Sequence, residues 1–185
     1  MHFCTFASGS SGNCALVSQG GTNVLLDAGT SMRRIAANLK ALDLTPADLS
    51  GILITHEHTD HVSALKMLTK YYRIPLFASR GTADALCDAT PELEAVLTGF
   101  QPGDCFAVGA FSISSFPTPH DARQSVGYRL EAEGRVLAFA TDVGHITPEV
   151  YQGLYRADAA VIEANHDLGM LQHGAYPYVL KRRIL

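Results

Sequence analysis

The sequence predicts an α/β fold, and three observations support that class. Short apolar runs bounded by Gly, Ser, Asn and Pro alternate with segments whose apolar residues recur every three or four positions, so strands and helices interleave along the chain. Of the 185 residues, 47% are hydrophobic and 17% charged, which is enough apolar surface for a packed core and too little charge for a disordered chain. No repeat or low-complexity stretch interrupts the pattern, and the length fits one domain covering residues 1–185.

The first thirty residues hold three β segments, at 2–7, 14–18 and 23–27, separated by the turn-rich SGSSGN and QGGT stretches. They predict a small antiparallel meander. Met32, Ile35, Ala36, Leu39 and Leu42 then follow helical spacing and stop ahead of Thr45-Pro46, predicting a helix over 31–42 that covers one face of a sheet. Residues 51–55 read as a short buried strand. Val62, Leu65, Leu68 and Tyr72 mark one helix starting just after it. Beyond lie a strand at 75–78, a short helix at 82–87 and one or two strands over 105–116. Residues 127–131 and 135–141 flank an AEG turn as a hairpin, and 159–163 read as a further buried strand.

Fourteen Lys and Arg against eighteen Asp and Glu give a formal net charge of −4. This argues against a binder that holds nucleic acid by overall positive charge, while leaving room for a local basic groove. Cys4, Cys14, Cys87 and Cys105 show no CxxC spacing and lie among β-type runs, as buried free thiols of a reduced protein do. The N-terminus lacks a basic segment followed by a long apolar one, and no stretch approaches the roughly 18 apolar residues of a membrane span. A cytoplasmic protein without a membrane partner is expected.

The chemistry concentrates in HEHTDH, which places His56, His58, Asp60 and His61 directly after the apolar run GILIT. A strand that breaks into a tight turn can aim several side chains into one space, whereas regular helix or strand geometry scatters them over faces. Imidazole and carboxylate suit borderline or hard divalent ions, and the absence of a nearby cysteine favours an open, catalytic type of site. The spacing differs from HExxH, which needs two histidines four apart on one helical face. Helix capping by Asp60 would explain one of the four residues and leave three histidines unexplained.

HEHTDH resembles the HxHxDH signature of the metallo-β-lactamase superfamily, which covers lactamases, thioesterases, glyoxalase II and many nucleases. The likeness runs along nearly the whole chain: LLDAG supplies Asp27 at the end of an early strand, PTPH supplies His120, and FATDVG supplies Asp142. It implies an αββα sandwich with two divalent ions, zinc or manganese. One is expected on His56, His58 and His120, the other on Asp60 and His61, with Asp142 shared. FASGSSGNC, PTPHDA with QSVGYRL, and AVIEANHD are similar to the YycJ (WalJ) branch, which is associated with DNA 5′-exonuclease activity.

On that resemblance, metal-activated water attacks a phosphodiester, Asp60 orients it, and Glu163 or His166 gives a proton to the leaving oxygen. Ser10, Ser11 and Asn13 are substrate-binding candidates on the SGSSGN loop, which reads equally well as an ordinary turn. DNA is the favoured partner; Lys181, Arg182 and Arg183 near the end, with Arg33, Arg34, Lys66, Lys70 and Arg73 on helices, agree only weakly. Hydrolysis of a small ester, thioester or lactone at the same centre is the alternative, and an inactive binding module a third. The resemblance also implies one more histidine after the stretch similar to YVLKRRIL, so residues 1–185 read as a copy of the domain incomplete at its C-terminal end, with a weakly held second ion.

Overall fold

The structure, a computed structural model, describes residues 1–163 together with His173 and Tyr178. Strands β1 (His2–Ala7), β2 (Cys14–Gln19) and β3 (Thr22–Leu26) form the expected antiparallel meander. From β3 the sheet continues with parallel partners β4 (Gly51–Ile54), β5 (Leu76–Ser79) and β6 (Leu97–Phe100), giving the order β1-β2-β3-β4-β5-β6. Parallel neighbours need crossovers, and helices supply them: α1 (Met32–Lys40), α2 (Thr59–Val62), α3 (Leu65–Tyr72) and α4 (Arg80–Ala89). A second sheet holds β7 (Cys105–Val108), β8 (Phe111–Pro117), β9 (Val126–Ala132), β10 (Arg135–Ala140) and β11 (Ala159–Ile162). Its order is β11-β10-β9-β8-β7, with α5 (Pro148–Leu154) before the final, parallel strand.

Three apolar clusters define four layers. Between the sheets lie Val17, Val24, Leu26 and Leu53 from the first and Phe111, Ile113, Leu130 and Leu137 from the second. The opposite face of the first sheet, with Leu16, Leu25, Ile52 and Leu76, packs against Ile35 and Leu39 of α1, Leu65 and Leu68 of α3, and Leu86 of α4. Val150 of α5 covers Phe116 and Ala140 on the outer face of the second sheet. The order helix, sheet, sheet, helix is the expected αββα sandwich. It explains the unbroken apolar runs: every residue of β3 and β4 is buried because both faces are covered.

Several local features depart from expectation. The helix expected from Val62 is two pieces, because Ala64 gives its N–H to the carbonyl of Ala28 at 2.9 Å and so leaves the helical ladder. β6, whose LTGF carries a glycine, and α5, whose Thr147 side chain caps Val150 N–H, had no sequence expectation. Of the four thiols only Cys14 is buried; Cys105 is exposed because it opens β7, the edge strand of its sheet. Among the described residues no helix is long and apolar enough to cross a membrane.

Candidate metal centre

β3 and β4 run parallel, so their carboxyl ends deliver Asp27 and His56 side by side. Three loops then interlock above the sheet. Ala28 N–H donates to the His61 carbonyl at 2.8 Å, Asn13 N–H to the Asp60 carbonyl at 2.7 Å, and Gly29 N–H to the Asn13 carbonyl at 2.8 Å. The approach is so close that a Cβ at Gly29 would run into the Asp60 carbonyl. Asp27 and Asp142 have left-handed backbones, with φ of 59° and 54°, a conformation few non-glycine residues adopt and one that clusters at functional sites.

The first group is made of imidazoles. His56 Nε2 lies 3.1 Å from His58 Nδ1, which lies 3.2 Å from His120 Nε2. A tetrahedral cation with nitrogens at about 2.0–2.1 Å separates them by about 3.3–3.4 Å, so these two spacings are close to those a borderline divalent ion sets, and all three nitrogens lie within 4.8 Å of one another. Burial, with the charges of His61 and His120, pushes His56 down to about 3, so it keeps a lone pair to offer.

The second group lies beside the first. His61 Nε2 stands 3.1 Å from Asp142 Oδ2 and 3.6 Å from Asp60 Oδ2, and His56, His61 and Asp142 present ligand atoms within 4.8 Å of one another. Behind it, His61 Nδ1 donates to Asp27 Oδ2 at 2.8 Å, so that when the ring carries a single proton the lone pair falls on Nε2. Asp27 is itself fixed by the N–H of Thr55 at 2.8 Å and by the Thr55 hydroxyl. Burial disfavours charge on His61, but the Asp27 carboxylate and the hydrogen bonds to Asp142 and Asp27 outweigh it and raise the imidazole to about 10. The pocket therefore favours positive charge, whether as a second ring proton or as a cation before Nε2. Burial likewise opposes ionisation of Asp142, yet the His61 hydrogen bond and nearby imidazoles hold it below the usual carboxylate range.

Among the sequence candidates, the structure brings His56, His58, Asp60, His61, His120 and Asp142 into these two adjoining groups. Asn13 joins them: its Nδ2 is 3.0 Å from His61 Nε2 and 3.4 Å from Asp60 Oδ2, while its Oδ1 accepts from Gly9 N–H. Ser10 and Ser11 are exposed at the tip of the same loop. Glu163 follows β11 next to Asp142, and burial and the Asp142 charge push its carboxyl up. His166 lies outside the described residues. Sequence reasoning missed Thr55, Thr82, Gln124 and the role of Glu57, whose partners are distant in the chain.

The family described as a beta-lactamase superfamily domain matches residues 22–176. The exodeoxyribonuclease YycJ of Bacillus anthracis is 37% identical over 188 residues, covering 100% of this chain and 70% of that protein. The exodeoxyribonuclease WalJ of Streptococcus pneumoniae strain D39 is 34% identical over 187 residues, covering 99% of this chain and 69% of the relative. Zn(2+)-bound PqqB from Methylobacterium extorquens has the same fold, with a TM-score of 0.77 at 19% identity over 96% of this chain and 78% of its own. The match over most of the sequence, joined to the four-layer architecture and the paired His/Asp groups, means that the chain belongs to the metallo-β-lactamase superfamily, on its YycJ/WalJ branch.

Proposed function

We propose that residues 1–185 act as a single-domain, metal-dependent phosphodiesterase on nucleic acid, DNA by preference, working from a 5′ end with two divalent ions, zinc or manganese. The observation that supports this best is the convergence of three imidazole nitrogens beside a second group rich in carboxylate. The 37% identity to a protein named as an exodeoxyribonuclease favours a nucleic-acid substrate over a small ester.

Divalent ions bound here would acidify water and neutralise charge on the phosphoryl oxygens. Asp60 Oδ2, at the rim of the second group, accepts a hydrogen bond from the attacking water and orients it. Asn13 Nδ2, with its amide oriented by Gly9, and the exposed hydroxyls of Ser10 and Ser11 donate to phosphoryl oxygens. Glu163, beside Asp142, supplies a proton to the leaving alkoxide, with His166 as the alternative donor.

Time courses on 5′-labelled duplex DNA, single-stranded DNA and RNA, with a chromogenic ester alongside, test the reading. Duplex DNA is expected to lose nucleotides from its 5′ end, and Asp60→Ala to abolish this while the protein stays folded. Ester turnover with no oligonucleotide cleavage would replace this reading with the small-substrate one.

A further inference from the structure

Glu57 stands between His56 and His58 in an extended turn, so the two imidazoles share one side and Glu57 points to the other. Its carboxylate joins two distant segments. Oε1 accepts the backbone N–H of Arg123 at 2.7 Å, and Oε2 accepts the Thr82 hydroxyl at 3.3 Å. The first of these is short and charge-assisted.

Arg123 belongs to the irregular segment 118–125 that carries His120. The neck of that segment is closed by Thr118 N–H on the Ser125 carbonyl at 3.1 Å and by a 2.7 Å contact between their hydroxyls. One flank is pinned to α4: Gln124 Oε1 accepts Gly81 N–H at 2.8 Å, and the Gln124 carbonyl accepts the Ser79 hydroxyl. These bonds hold the segment to itself and to α4; at its foot Val126 N–H donates to the Thr55 carbonyl at 3.0 Å, and beside His120 Gly144 N–H donates to the Pro119 carbonyl at 3.1 Å. The Glu57–Arg123 bond joins the outer part of the segment directly to the residue between His56 and His58. Arg123 is also tied outward, its guanidinium donating to Asp88 at 2.9 Å.

We propose that Glu57 is a positioning residue for the three-imidazole group: by holding the Arg123 N–H it keeps His120 in register with His56 and His58. This rests on the reading that the group binds a divalent ion. Outer partners that orient ligands commonly govern metal affinity about 10- to 100-fold.

The test measures Zn2+ affinity by competition with a chromophoric chelator, and the absorption spectrum of the Co2+-loaded protein, for wild type, Glu57→Ala and Glu57→Gln. E57A is expected to weaken the tightest ion by about tenfold or more and to change the Co2+ bands. E57Q keeps a carbonyl oxygen for Arg123 N–H and is expected to stay close to wild type in both. A purely structural role would lower the melting temperature of metal-free E57A and leave affinity and spectrum alone, overturning the proposal. Equal losses in E57Q and E57A would overturn it too, by making charge rather than placement the cause. If E57A does not fold, Glu57→Asp, too short to reach Arg123, is expected to show the same loss, and wild-type affinity there is the contrary result. A wild-type protein that takes up neither ion defeats the metal reading and this proposal with it.

Discussion

Asp27 is wholly buried, and its two oxygens have different tasks. Oδ1 accepts the Thr55 N–H at 2.8 Å, and Oδ2 faces His61 Nδ1 at 2.8 Å. In Asp27→Asn the Thr55 N–H still needs an acceptor, so the new NH2 takes the place of Oδ2. His61 Nδ1 must then accept, its proton moves to Nε2, and the lone pair of the second group is lost. The expected outcome is a folded protein whose second-site ion is held about 10- to 100-fold more weakly, measured by metal titration. Wild-type titration in D27N would show that Asp27 does not set the tautomer. At this scale the sequence was legible where the candidate metal-binding residues are consecutive, as in HEHTDH, whose side chains the fold gathers. Thr55 and Gln124 were silent because their partners lie 28 and 43 positions away and meet only in the folded chain.

Helix α4 ties an element to the site. Ser79 ends β5, caps α4 by accepting Thr82 N–H at 3.4 Å, and donates to the Gln124 carbonyl, all while fully buried. Ser79→Ala removes a cap, leaves the buried Thr82 N–H without its acceptor and leaves the Gln124 carbonyl with only the longer bond from the Thr82 hydroxyl at 3.4 Å, so a loss of about 2 kcal/mol is expected in denaturant unfolding of the metal-free protein. Ser31→Ala, the exposed cap of α1, is expected to cost less, about 0.5–1 kcal/mol. Equal costs would argue against the extra bond to the His120 segment. Elements with strong periodicity, such as α1 and the meander, could be read in advance. The break between α2 and α3 could not, because its cause is the Ala28 carbonyl, which lies outside the helix.

In the whole molecule both sheets contribute to the centre. Asp27, His56, His58 and His61 follow strands of the first, while His120 and Asp142 follow β8 and β10 of the second. The groups therefore form only when the two sheets pack, and an ion held by them would stabilise the folded form by mass action. The formal charge of −4 gives no hint of this local arrangement. The order and spacing of the candidate metal-binding residues did, because they follow strand ends.

The most direct measurement strips the protein with a chelator, removes the chelator, and follows metal content, melting temperature and cleavage of 5′-labelled duplex DNA as Zn2+ or Mn2+ is restored. Cleavage is expected to vanish with the metal and return with it, the melting temperature rising in step, while D60A regains metal at the imidazole group without regaining cleavage. Undiminished cleavage by metal-free protein, or restored metal with no hydrolysis of any phosphodiester, would contradict the account.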